Sequence, residues 1–164
     1  MATPAVEELR QTLATKFPDI LGTTFFDKYA KKKMARLQAP PGTHANSATY
    51  DPSDDPHVKG LALDIFLFAN DSSRPLEQQL AENLVDLFVY YKNQMGWSCV
   101  IYNGVTTDDF GGPKPYTGSN PHTTHIHIEW PASRASNTGY SNAMSSDLDD
   151  LETAWQSGGP FPNG

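Results

Sequence analysis

Residues 125–130 read His-Ile-His-Ile-Glu-Trp, and this strict alternation of polar and apolar side chains constrains the fold more than any other stretch. Successive side chains of a β-strand point to opposite faces of the sheet. The segment therefore predicts a strand with His125 and His127 on one face and Ile126 and Ile128 on the other. We expect the isoleucines to enter the core and the histidines to face a cleft.

A second short apolar segment, residues 61–68, contains a single carboxylate. Alternation places Asp64 on the same face of this predicted strand as Phe66. A carboxylate in so apolar a strand is costly unless it is paired, and a cation is its simplest partner. His57 lies just before the strand, and Gly60 allows the backbone to turn closely between them.

These residues together predict a metal site. If the two strands are neighbours, His57, Asp64 and one histidine of the 125/127 pair supply two nitrogens and one oxygen. Catalytic zinc typically takes three protein ligands and leaves the fourth position to water. The alternative is structural, since a lone aspartate or histidine is usually satisfied by hydrogen bonds, but the clustering in two strand-linked motifs favours the metal site. Glu129 shares the histidine face, where we interpret it as orienting a neighbour.

The remaining pattern predicts a single α+β domain, residues 1–164, with a small, mostly antiparallel sheet and flanking helices. Helices are expected at four places besides the strands, and a further strand precedes a glycine-rich loop. In chain order these are a helix ending near Lys16 after Thr3-Pro4, a helix at 25–37, a polar loop at 38–56, a helix from Ser73 to Gly96, a strand at 97–102, a loop at 108–120, a helix from Ser146 to Trp155 and a loose tail at 158–164.

Composition excludes several classes of function. The formal net charge of -7 argues against a nucleic-acid-binding surface, which would need a basic patch. The one cysteine, Cys99, excludes an intrachain disulfide and is interpreted as a small buried hydrophobe. No apolar run is long enough to span a membrane. Residues 1–8 lack the basic and then apolar pattern of a secretory signal, so we expect synthesis in the cytoplasm.

The two histidine motifs resemble those of a known enzyme group. His57 and Asp64, with Gly60 and Ala62 between them, are similar to the His-x2-Gly-x-Ala-x-Asp signature of the LAS metallopeptidases, which comprise lysostaphin-type, D-Ala-D-Ala and hedgehog-like domains. Residues 116–128 resemble the closing motif of the peptidoglycan-hydrolase branch, including phage endolysin peptidase domains. The usual sequence of that closing motif is Asn-Pro-His-Thr-Asp-His-x-His. The resemblance covers roughly residues 40 to 130, and the combined motif is specific.

The resemblance implies a hedgehog/DD-peptidase-like fold and a role for each histidine. His57, Asp64 and His127 would bind Zn²⁺. His125 would face the scissile bond as general base or transition-state stabiliser, with His122 beside it. This chain departs from the motif at one position, where Thr124 replaces the usual aspartate. The replacement affects a hydrogen bond near the ligands and not the ligand set. We also expect aromatic side chains to line the substrate groove or to belong to the core, namely Tyr102, Tyr116, Trp97 and Trp130.

The sequence thus predicts a zinc metallopeptidase that cuts stem-peptide or cross-link amide bonds of bacterial peptidoglycan. Two alternatives stay open: a zinc-binding module of hedgehog-like type without turnover, and a zinc hydrolase of another substrate, against which the acidic charge counts where that substrate is a nucleic acid. Without an export signal, a wall hydrolase is expected to be a phage endolysin or an injected antibacterial effector with a cognate immunity protein. Either would act in the periplasm or cell wall of a target cell, or after phage-induced lysis.

Overall fold

In the computed structural model, residues 2–18, 56–57, 59–67 and 75–162 are described. Within these ranges the chain forms four α-helices, five β-strands and a short 3-10 helix at Ala132–Arg134. The helices are α1 (Pro4–Lys16), α2 (Pro75–Tyr90), α3 (Lys92–Met95) and α4 (Tyr140–Ser157). The strands are β1 (Ala62–Ile65), β2 (Cys99–Tyr102), β3 (Val105–Asp108), β4 (Gly111–Pro115) and β5 (Ile126–Glu129).

The strands form one sheet in the order β1-β5-β2-β3-β4, and every neighbouring pair is antiparallel. The predicted α+β class with an antiparallel sheet is therefore confirmed. The histidine-bearing strand β5 lies inside the sheet, with β1 on one side and β2 on the other. Its backbone is hydrogen-bonded along both edges, which makes it a rigid support for side chains.

One face of the sheet is the hydrophobic core. Ile126 and Ile128 are both fully buried there, as the alternation of β5 predicted. Helices α1, α2 and α4 cover this face and pack against one another. Their buried leucines recur at helical spacing: Leu9 and Leu13 on α1, Leu80, Leu84 and Leu87 on α2, and Leu148 and Leu151 on α4. The opposite face of β1 and β5 carries polar side chains, namely Asp64, His127 and Glu129.

Helix α1 begins where the sequence predicted, with Pro4 in its first turn. Thr3 does not cap the helix with its side chain but reaches across to the turn that precedes β1. Both its backbone N–H and its hydroxyl donate to the carbonyl of Gly60, each at 2.9 Å. Gly60 has a φ of +72°, which glycine adopts without steric cost. The start of α1 thus fastens the turn from which His57 projects.

Several predicted boundaries differ from the structure. The segment predicted as a loop at 108–120 contains β4, which pairs with β3 at the edge of the sheet. A proline is tolerated there because an edge strand has one row of N–H groups without a ladder partner. Helix α4 starts at Tyr140 and not at Ser146, because Tyr140 and Met144 extend its buried face by more than a turn.

The predicted loose tail is also partly packed. Phe161 is 4% exposed and belongs to the core, while Gly158 ends α4 in the left-handed conformation. The predicted helix at 25–37 and most of the loop at 38–56 lie outside the described residues. Across the described ranges, no helix has the length and apolar character that crossing a membrane requires.

Candidate metal centre

Asp64 and His127 lie opposite each other on adjacent strands. The register of β1 against β5 pairs them directly, so their side chains project from the same face of the sheet. Asp64 Oδ1 lies 3.1 Å from His127 Nδ1. Each residue is only 8% exposed. A carboxylate this deeply buried is stabilised only by close polar partners.

His57 reaches the same carboxylate from the turn before β1. Two backbone hydrogen bonds close this turn: Gly60 N–H donates to His57 O at 3.1 Å, and Leu61 N–H donates to Pro56 O at 2.8 Å. His57 Nε2 then lies 3.2 Å from Asp64 Oδ1. The His57 and His127 rings meet edge to face, with centroids 5.0 Å apart.

The structure therefore brings together the three ligands predicted from the sequence. One ligand atom from each of His57, Asp64 and His127 lies within 4.8 Å of the other two, close enough to hold a metal ion. The donor set is two imidazole nitrogens and one carboxylate oxygen in a largely buried position. Imidazole nitrogens and carboxylate oxygens are common metal ligands in proteins, so these three residues could hold a metal ion.

His125 and His122 stand next to this cluster. His125 Nε2 lies 3.9 Å from Asp64 Oδ1, and its ring stacks on Phe66 with centroids 5.1 Å apart. The His122 ring centroid lies 4.9 Å from that of His125 and 5.5 Å from that of His127. Both predicted catalytic histidines are thus placed beside the candidate ligands. Alternation predicts Phe66 on this face, and the structure shows in addition that its ring stacks on that of His125.

The turn between β2 and β3 holds His122 in place. Asn103 N–H donates to His122 O at 2.9 Å, and Gly104 N–H donates to Pro121 O at 2.7 Å. His122 N–H donates in turn to the side chain of Asn120 at 3.0 Å. These contacts hold His122 at a φ of +57°, a left-handed conformation that a non-glycine residue seldom adopts. Strained backbone of this kind is concentrated at functional sites.

The two ends of the His127 ring face two carboxylates. Nδ1 faces Asp64, and Nε2 lies 2.8 Å from Glu129 Oε2. Burial by itself lowers the pKa of His127, but the hydrogen bonds and charges of Asp64 and Glu129 outweigh it and raise the pKa to about 9. In the absence of metal, His127 is therefore an imidazolium between two carboxylates.

The pKa of His122 is shifted in the opposite direction. Burial lowers the pKa of His122, and the neighbouring His127 lowers it further. The ring is therefore neutral at physiological pH. Its Nδ1 is buried and has no hydrogen-bond partner among the described residues. Buried polar atoms without a partner are uncommon in proteins, and functional sites are one of the places where they occur.

Thr124 provides a hydrogen-bond partner for His125. Its Oγ1 lies 3.0 Å from His125 Nδ1. The hydroxyl can donate to a ring nitrogen or accept from it. Thr124 can therefore orient His125 through Nδ1, while Nε2 is the ring nitrogen that lies 3.9 Å from Asp64 Oδ1.

The aromatic residues proposed to line a groove divide into two groups. Tyr116 lies at the site, with its ring edge-on to His122 and the centroids 5.2 Å apart. Tyr102 lies in the core on the opposite face of the sheet, two residues along β2 from the buried Val100, which pairs with Ile128. Trp130 and Trp97 are also core residues, and their indole N–H groups donate to the carbonyls of Met95 and Phe88 at 2.8 Å and 2.9 Å. The structure does not bring these three to the metal centre. The alternation that places Ile128 in the core extends to Trp130.

Comparisons of this chain with protein-family models, with curated proteins and with solved structures found no match.

Proposed function

We propose that this protein is a zinc-dependent peptidase that cleaves amide bonds in the peptides of bacterial peptidoglycan. The observation that carries the proposal is the convergence of His57, Asp64 and His127 within 4.8 Å, with two further histidines next to them. A structural metal site is closed by four protein ligands, whereas a catalytic site leaves a position for water or substrate. Here there are three candidate ligands, and the imidazoles of His122 and His125 lie beside them. This corresponds to the catalytic arrangement.

The adjacent histidines supply the acid–base chemistry. When bound, zinc polarises the scissile carbonyl and lowers the pKa of its water toward about 7. His125, whose Nδ1 lies 3.0 Å from Thr124, would take a proton from the attacking water and return it to the leaving amine. His122 is neutral and carries an unpartnered Nδ1, so it can hydrogen-bond to substrate without adding charge.

The choice of substrate depends on the resemblance of residues 57–64 and 116–128 to the peptidoglycan-hydrolase branch of the LAS metallopeptidases. The antiparallel sheet, with its ligands on β1 and β5, supports the hedgehog/DD-peptidase-like fold that this resemblance implies. Tyr116 is the aromatic residue that we assign to substrate binding. We propose action on the wall of a target cell, as an endolysin or as an effector with a cognate immunity protein.

Mass spectrometry of digests of purified sacculi tests the activity and identifies the bond that is cut. The wild-type protein is expected to release peptides, whereas His125→Ala should retain zinc and lose about 10²–10⁴-fold in rate, the usual contribution of a general acid–base group. Phe110→Ala is a suitable control, because Phe110 is 94% exposed. Full activity of His125→Ala would contradict the catalytic role. A wild-type protein that binds zinc but releases no peptide would favour a zinc module without turnover, or another substrate.

A further inference from the structure

We propose that Glu129 is a positioning residue that fixes the tautomer and orientation of His127, so that His127 presents Nδ1 to the metal. This inference depends on the metal site of the proposed function. It adds a specific prediction to that proposal, namely which nitrogen of His127 is the ligand and which residue selects it.

The contact between the two side chains follows from strand geometry. His127 and Glu129 are two residues apart on β5 and therefore project from the same face of the sheet. Glu129 Oε2 lies 2.8 Å from His127 Nε2, while His127 Nδ1, at the other end of the ring, faces Asp64. Turning the ring over would put carbon atoms against both carboxylates, so the two contacts together select one orientation.

The same contact selects the tautomer. A neutral imidazole carries one N–H and one lone pair, and only the lone pair can bind a metal. A carboxylate accepts hydrogen bonds and has no proton to donate when ionised. Glu129 therefore keeps the proton on Nε2 of His127 and leaves the Nδ1 lone pair directed toward Asp64 and His57. Histidine ligands commonly donate their second N–H to a carboxylate in this way, which also strengthens the ligand.

The backbone holds Glu129 in the position that this role requires. Glu129 pairs with Ala62 on one side and with Cys99 on the other. Its carbonyl accepts the N–H of Ser98 at 2.8 Å and the Ser98 hydroxyl at 3.2 Å. The flanking Ala62 and Cys99 side chains are small, which leaves room for the Glu129 side chain to lie back toward His127.

Two substitutions of Glu129 test whether its role is to accept a hydrogen bond from His127 or only to occupy space in the site. In Glu129→Gln an amide oxygen can still accept from Nε2, whereas in Glu129→Ala it cannot. We expect Glu129→Ala to weaken zinc binding by about 10–100-fold, the usual effect of removing such a partner. Glu129→Gln should stay within about threefold of the wild type. Asp108→Asn is the matched control, because Asp108 is a carboxylate on the same row of the sheet, beyond Cys99.

Zinc affinity is measured by competition with a chelator, and the ligand nitrogen by ¹⁵N NMR of the histidine rings in the zinc-loaded wild-type protein. The expected spectrum shows a proton on Nε2 of His127 and the metal on Nδ1. Wild-type affinity in Glu129→Ala, or zinc on Nε2 in the spectrum, would overturn the proposal. The spectrum needs only the wild-type protein, so a variant that fails to fold does not remove the test. Neither measurement uses a substrate, so a protein that passes both and releases no peptide refutes the proposed activity alone.

Discussion

Asp64 Oδ1 lies 3.1 Å from Nδ1 of His127, its direct partner across the β1–β5 pair. His57 joins the same oxygen at 3.2 Å from a turn that is fastened to the start of α1. Two of the three candidate ligands therefore sit on hydrogen-bonded strands, and the third is tied to the same framework. Sites built on regular elements keep their geometry better than sites built on loops.

Replacing Asp64 tests the ligand set. Asp64→Asn keeps the size of the side chain but removes the charge, and we expect the purified protein to lose most of its zinc. His127→Ala should empty the site as well, while the wild type is expected to hold about one zinc per chain. Metal content is measured by mass spectrometry after dialysis. Asp86→Asn is the control, since Asp86 is an exposed carboxylate on α2. Full metal retention in both ligand variants would show that the assignment is wrong.

Replacing Thr124 tests the orientation of His125. Thr124→Val removes the hydroxyl that lies 3.0 Å from His125 Nδ1 and keeps a similar shape. The loss of one hydrogen bond of about 1 kcal/mol corresponds to a fall of roughly fivefold in kcat. Zinc content should be unchanged, because Thr124 is not one of the candidate ligands. Thr124→Ser retains the hydroxyl and should stay close to the wild type; equal rates for all three proteins would exclude this role.

Adding a methyl group at residue 118 tests the placement of Tyr116. A Cβ on Gly118 would overlap the Tyr116 phenol and the adjoining ring atoms, so the ring would have to move away. Because Tyr116 lies edge-on to His122, we expect Gly118→Ala to raise KM for peptidoglycan fragments while zinc affinity stays the same. Tyr116→Ala should have the same effect. If Gly118→Ala leaves KM unchanged while Tyr116→Ala raises it, the ring has moved without loss of contact with the substrate.

The raised pKa of His127 predicts a pH-dependent stability of the zinc-free protein. The pKa in the folded state is about 9, above the ordinary histidine value of 6.5, so the folded state binds the proton more tightly than the unfolded state. The stabilisation is complete below about pH 6.5 and is lost as the pH rises through about 9. Thermal unfolding of chelator-treated protein between these limits should show a falling Tm, and the difference from His127→Asn isolates the contribution of His127.

The same proton competes with zinc. Metal binding at neutral pH must displace it from Nδ1 of His127, so we expect proton release on binding and a zinc affinity that increases with pH. Calorimetry in buffers of different ionisation enthalpy measures the number of protons released. A binding enthalpy that is independent of the buffer would contradict an imidazolium at His127 in the zinc-free protein.

The sequence also contains a hairpin signal between β2 and β3 that the sequence analysis did not use. Asn103-Gly104 is the typical two-residue connection of a β-hairpin, and both residues have positive φ, at +49° and +76°. This turn joins β2 to β3 and also anchors His122. Strand β3 was missed because hydrophobic alternation is weak in Val-Thr-Thr-Asp, and β4 because its glycines and prolines resemble a loop.

The sequence by itself determined which residues of β1 and β5 share a face, because the period of a strand is a local property of the backbone. It therefore identified Asp64 and the 125/127 histidine pair, with His57 just before β1, as candidate ligands, and it predicted Ile126 and Ile128 in the core. The choice of His127 within the pair came from the resemblance to the LAS metallopeptidases. Only the tertiary structure decided that β1 pairs directly with β5, since register depends on contacts between residues more than sixty positions apart. That register brings the ligand atoms to one point, sets Glu129 against Nε2 of His127, and leaves Trp130 and Tyr102 on the far side of the sheet.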